Sequence, residues 1–240
     1  MFKRQALMMT MVMVATAAFL FAGCAPKADP VKVGKVIGFF NAKSTATYKG
    51  SGKFNPMPYA VGQFVTHGNT ENTGKRSVSK TAIVGREGNG WIIETYSISE
   101  YSESISQMLV VGLDNMRTAR DFENLDILWV KMKDENGQVQ TIEGPPLMMA
   151  KGFYKSALRS FDISALTNQG SGADITVPAG RFTNTFNADA AVSVMGMTFR
   201  SKSWFSDKVP VNGMVKSVTD DGKITTELLD FGDSGARPSF

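Results

Sequence analysis

The sequence predicts a mainly β protein with few helices, and three observations carry that prediction. Residues 33–98 alternate apolar and polar side chains between clusters of Gly, Asn and Ser, the period of half-buried strands. Asn136-Gly137 separates two more alternating runs in the manner of a hairpin turn. One long stretch, following Pro145-Pro146, repeats its apolar residues at three- and four-residue spacing instead.

The chain opens on a different kind of segment. Lys3 and Arg4 precede an uncharged run from Gln5 to Gly23, rich in Ala, Met, Val and Phe and ending in small residues. That is the layout of a secretory signal, and its weakly apolar composition and the Ala22-Gly23 pair argue against an uncleaved membrane span. Directly after it stands Cys24, the single cysteine among 240 residues. The residues Leu20-Phe21-Ala22-Gly23-Cys24 resemble the bacterial lipoprotein signal, in which the cysteine becomes the acylated first residue of the mature chain. The resemblance implies diacylglyceryl and palmitate-type acyl chains on Cys24, and several chains together anchor a protein far more firmly than one. Ala25, rather than Asp, follows the cysteine, which in such lipoproteins favours the outer membrane, here its periplasmic face.

The expected organisation is therefore a signal over 1–23, a lipidated tether over 24–32 and a single domain over 33–240. Of 26 basic residues two leave with the signal, against 22 acidic ones, so the mature chain is close to neutral and carries no basic run of the kind nucleic acid requires. With no cysteine to pair with Cys24, the fold rests on its core alone. "APKADPVK", with its two prolines, reads as an extended tether.

Candidate strands follow at 33–40, 46–54, 59–66, 76–85 and 90–98, the last two joined by a turn in "VGREGNGW". That glycine-rich run lacks the Lys-Ser/Thr ending and following helix of a phosphate loop. "QMLVVGL", residues 107–113, reads as a strand. In "LDILWVKMKDENGQVQTIEG" strict alternation places Leu125, Ile127 and Trp129 on one face and Leu128, Val130 and Met132 on the other. The helix then carries Leu147, Ala150, Tyr154, Ala157, Leu158 and Phe161 on an apolar stripe, with Lys151, Lys155 and Arg159 spaced four apart on another face. Such a basic face reads as solvated or as resting on anionic lipid. A loop, "TNQGSGAD", leads into strands that continue to the end.

Three closing segments, "ITVPAGRFTNTF", "RSKSWFSDKVPVNGMVKSV" and "TTELLDFG", resemble in that order the bacterial envelope proteins of lipoprotein-carrier fold, the LolA and LolB carriers and the mycobacterial LppX type. The shared pattern runs from Val177-Pro178-Ala179-Gly180 with Phe182, through Trp204 and Val209-Pro210 with Gly213, to Phe231-Gly232. The resemblance implies a strongly curved antiparallel sheet, an incomplete barrel, with helices covering its concave side and a cavity that takes acyl chains. Phe182 and Phe186, read as one strand, share a face, as do Met195, Met197 and Phe199. With the adaptable Met132, Met148 and Met149 they are the candidate lining of a hydrophobic site, against the plainer reading of each as core filling.

Catalysis is not expected. His67 is the only histidine, and "VTHGNT" reads as a loop with no serine or acid arranged around it. Cys24 is engaged in the anchor, so no His or Cys metal cluster is expected, and no cofactor beyond the lipid on Cys24. Ser77 and Lys80 match Ser-x-x-Lys, but in a strand pattern and without the companion motifs. Asp220-Asp221 sits in a turn pattern. The expected function is non-covalent binding of a lipid or other hydrophobic ligand by a membrane-tethered protein. The alternative is a non-catalytic scaffold holding an envelope protein partner.

Overall fold

The computed structural model describes residues 27–53, 57–115, 125–134, 136–159, 172–194 and 197–240. Thirteen strands and two helices are seen there: α1 (Pro30–Asn41), β1 (Thr47–Lys49), β2 (Phe64–Glu71), β3 (Arg76–Glu87), β4 (Gly90–Ser99) and β5 (Glu103–Val111) come first. A 3-10 turn at Leu113–Asn115 precedes β6 (Asp126–Lys133), β7 (Val139–Ile142) and α2 (Gly144–Arg159). The remainder is β8 (Ile175–Val177), β9 (Gly180–Thr183), β10 (Phe186–Val194), β11 (Met197–Phe205), β12 (Met214–Thr219) and β13 (Ile224–Gly232).

Ten strands form one antiparallel sheet in the order β10-β11-β12-β13-β2-β3-β4-β5-β6-β7, and β1-β9-β8 form a small second sheet. The large sheet does not close into a barrel, but it curls. Four register shifts, between Ile83 and Gly85, Leu109 and Val110, Trp204 and Phe205, and Leu228 and Asp230, each bend and twist it locally. One helix, α2, touches both β6 and β10. In a flat sheet those strands would stand about 38 Å apart, eight spacings of about 4.8 Å, whereas a 16-residue helix is about 24 Å long.

Side chains on the face bearing α2 and the small sheet make the main core: Val65, Ile83, Trp91, Ile93, Leu125 and Ile127 from the large sheet, and Val177, Ala179 and Phe182 from the small one. Buried Val209 and Val211, from the loop between β11 and β12, join them. The register shift in β13 leaves the Leu228 carbonyl free to accept from Ala179 N at 3.1 Å, which docks the small sheet on the large one. On the opposite, outer face α1 seats Val36 against Val78, Ile98 and Leu229, with Phe39, Phe40 and Tyr96 around them.

Three expectations are corrected. Residues 33–40 are helix, not strand: Asp29 caps it by accepting from Val31 N at 2.9 Å, Pro30 occupies the first turn, and Val33, Val36, Ile37 and Phe40 fall at helical spacing. The helix thus begins inside the stretch assigned to the tether. The strand sought at 46–54 is only Thr47–Lys49, and that sought at 59–66 starts later, at Phe64. In β6 strict alternation breaks at Leu128, because the register passes from Val110↔Ile127 to Leu109↔Trp129. Val130 therefore joins Leu125 and Ile127 on the core while Leu128 is exposed. The strand expected at 107–113 is present but lies at Glu103–Val111, and the hairpin around Asn136-Gly137 and the helix opened by Pro145-Pro146 are present.

Candidate functional site

Cys24, the expected lipidation site, lies outside the described residues. The described chain is tied to the sheet near its start, where Asp29 N donates to Glu100 O at 2.9 Å. Just after it, Lys35 Nζ donates to Glu103 at 2.8 Å and Tyr96 Oη donates to the same carboxylate at 3.0 Å, pinning α1 to the sheet. Those bonds, led by the one from Lys35, hold the Glu103 carboxyl below its ordinary range.

The two phenylalanines of the candidate lining are in different strands. Phe182 belongs to β9 and Phe186 to β10, and the chain turns between them at Asn184, which has a φ of 53°. Phe182, fully buried, stacks on Tyr48 at 4.9 Å and lies 5.8 Å from Phe231; Phe186 packs against Phe205 at 6.2 Å. Both rings are engaged by the protein's own side chains. Met132, Met148 and Met149 are instead exposed, the last two to 73% and 75%, on the β6, β7 and α2 side of the molecule, while neighbouring Leu147 packs inward. Met197 and Phe199 lie on β11, opposite Val194 and Val192, but their side chains, and Met195 altogether, lie outside the described residues. Of the basic helical face, Lys151 pairs with Asp126 at 3.2 Å.

Sequence reasoning missed the environment of His67. It is in β2, not a loop, directly opposite Ser79 on β3 and Leu228 on β13, and 1% exposed. Its Nε2 lies 3.0 Å from Met214 O, so that nitrogen carries the proton and Nδ1 is left as an acceptor. Burial pushes the imidazole pKa down to about 4, the bond to Met214 opposing only in part, and the ring is neutral at pH 7. Around Met214 three buried polar atoms have no partner among the described residues: His67 Nδ1, Ser79 Oγ and Asn212 Nδ2, the last on the residue whose Oδ1 accepts from Met214 N at 3.1 Å. Ser203 Oγ donates to Ser217 Oγ at 2.8 Å, and Ser201 is buried on the same face. On the inner face Ser201 and Ser203 of β11 and Ser217 of β12 thus lie with His67 and Ser79 in a buried polar patch. Only the run of Ser and Thr at alternate positions in β11 and β12 could have signalled this.

Other motifs resolve into structure. Ser77 and Lys80 point to opposite faces of β3, Ser77 across from Asn69 and Lys80 over the Phe64 ring at 4.4 Å, so they make no dyad. Asp221 accepts from Thr219 Oγ1 at 2.7 Å and from Lys223 N at 3.0 Å, which ties the β12-β13 turn and lowers its pKa to about 2.

No family model matches the chain, and no curated protein does. Among solved structures it is similar to a candidate lipoprotein of Parabacteroides distasonis ATCC 8503, at 13% identity and a TM-score of 0.32 over 73% of this chain and 97% of that one. It is also similar to a candidate exported protein with a YmcC-like fold from Bacteroides fragilis NCTC 9343, at 10% identity and 0.30 over 73% and 98%. A third, PNGF-II, gives 11% identity and 0.31 over 73% of this chain and 28% of that chain. Likenesses this distant carry no argument about activity.

Proposed function

We propose that the chain is a cell-envelope lipoprotein, anchored through Cys24 to the periplasmic face of the outer membrane, that works by non-covalent binding of a hydrophobic ligand. The observation that carries the reading is the charged, apolar, small-residue run ending at the single cysteine. The ligand contact belongs at the rim: Phe182 and Phe186 are engaged with Tyr48 and Phe205, whereas Met148 and Met149 stand exposed on the helix that bridges the sheet. Unbranched thioether side chains adapt to ligands of varied shape.

A second reading, a scaffold for an envelope protein partner, is favoured by the same packing of Phe182 and Phe186 against neighbouring rings and would use the same exposed surface. Metabolic labelling of expressing cells with palmitate tests the anchor: the full chain takes up label and fractionates with the outer membrane, and Cys24→Ala abolishes both. Labelling unchanged by Cys24→Ala overturns the anchor. Mass spectrometry of organic extracts from the Cys24→Ala chain, compared with the same chain carrying Met148→Asp and Met149→Asp, tests the ligand. A lipid lost with the two substitutions supports rim binding, and no uptake of added lipid by either chain rejects it in favour of a protein partner.

A further inference from the structure

The outer face of the sheet carries a second arrangement, distinct from the anchor and the methionine rim. Glu94 and Gln107 are directly paired across β4 and β5, side by side on that face, and are only 6% and 5% exposed. Burying a carboxylate is costly unless both oxygens are satisfied. Here they are satisfied by a segment far away in sequence. Ser239 N donates to Glu94 Oε2 at 2.8 Å and Ser239 Oγ to Oε1 at 2.7 Å. Gln107 Nε2 bridges, donating to Glu94 Oε2 at 2.8 Å and to Phe240 O at 3.0 Å. Lys133 Nζ, from the next strand, donates to Ser239 O at 3.4 Å and stands 5.9 Å from the centre of the Phe240 ring. Every polar group of the Ser-Phe pair named here has a partner of complementary chemistry, as a bound peptide would.

The rest of the segment passes close to Gly62, where a Cβ would come within 3.1 Å of Gly235 N. Between Asp233 and Pro238 it has no regular structure, most of its residues are exposed, and it is tied by Ala236 N donating to Gly62 O at 2.9 Å. If the segment served only to cover the sheet, an apolar residue at position 94 would serve better, since a buried acid adds nothing to packing and demands donors. The acid selects for an N–H and a hydroxyl in sequence. Lys133 also lines a groove of about 480 Å³ between the start of α1 and the β6-β7 turn, together with Ile105, Lys35 and Glu103.

We propose that Glu94, Gln107 and Lys133 form a peptide-binding site that takes an extended segment of another protein bearing a hydroxyl residue followed by an aromatic one, and that residues 234–240 occupy it in cis. The cis segment lowers the apparent affinity for a partner by the fraction of time it is seated, and release of the segment opens the site. This proposal stands apart from the ligand at the methionine rim and from the anchor.

The test uses the full chain with Ser239→Asp, which sets a second carboxylate against Glu94 and ejects the cis segment, and a fluorescent peptide of sequence Ser-Gly-Ala-Arg-Pro-Ser-Phe. The variant should unfold cooperatively and bind the peptide at least about tenfold more tightly than the unaltered chain. A peptide ending Ala-Ala, or the variant carrying Glu94→Ala as well, should lose that binding. If Ser239→Asp does not fold, Ser239→Ala with Phe240→Ala, which deletes the cis contacts without adding charge, takes its place under the same criteria. A folded variant that ignores the peptide, or binds the Ala-Ala peptide equally, overturns the proposal and leaves the segment a structural strap alone.

Discussion

At the scale of single residues, His67 makes the sharpest thermodynamic statement. Its folded pKa is near 4 and its ordinary value 6.5, because burial strips the imidazolium of water and no carboxylate is among its hydrogen-bond partners. Above pH 6.5 neither the folded nor the unfolded chain protonates it. As pH falls from 6.5 toward 4 the unfolded chain takes up the proton while the folded one does not, so stability declines by up to about 3 kcal/mol over that window. His67→Gln should therefore flatten the dependence of unfolding free energy on pH between 6.5 and 4, measured by urea denaturation at several pH values. A wild-type curve as flat as the variant's there would mean that the ring is solvated or paired in the fold.

Among the elements, α1 shows best why parts of the fold were legible in the sequence and others were not. Strong alternation and turn residues revealed β3, β4 and the β6-β7 hairpin, since their signals are local. The first helix was hidden because Val31 and Val33 mimic a strand, although Asp29-Pro30 and the spacing of Val33, Val36, Ile37 and Phe40 mark a capped helix. The bulge at Leu128 inverted half of β6, and it depends on register against β5, which no local pattern encodes. Likewise Phe182 and Phe186 mimic one strand in the sequence because only the turn at Asn184 separates them. The Glu94 and Gln107 clamp could not be read at all, its partners lying more than a hundred residues away. Docking of α1 itself rests on Gly68: a Cβ there would run into the Phe40 ring and approach Leu229 Cδ1 at 2.9 Å. Gly68→Ala is expected to destabilise the protein by about 1–3 kcal/mol, as overpacking does. Adding Phe40→Ala should recover part of that loss, a non-additivity readable in chemical denaturation; strictly additive effects would place the helix elsewhere.

For the molecule as a whole, the question is whether the curled sheet encloses a vessel or a core. The small sheet is assembled from distant pieces, Thr47 to Lys49 pairing in parallel with Arg181 to Thr183, and it seats Phe182 against Tyr48 and Phe231. The β11-β12 loop adds Val209 and Val211 to the same cluster, and Val211 holds a φ of 63°, a conformation unfavourable to a β-branched residue and retained only where the surroundings compel it. Such cost fits a plug that must be in place for the sheet to have a core beneath it. Phe182→Ala should then cost about 3–5 kcal/mol by leaving a cavity in a close-packed interior. It should also let the native state take up a small apolar probe such as benzene, seen as a rise in melting temperature with probe concentration, while the unaltered protein shows none. An unaltered protein that already binds the probe, with Phe182→Ala nearly neutral, would reverse the assignment: the interior would be an open vessel, and the hydrophobic ligand would belong inside the sheet rather than at the methionine rim.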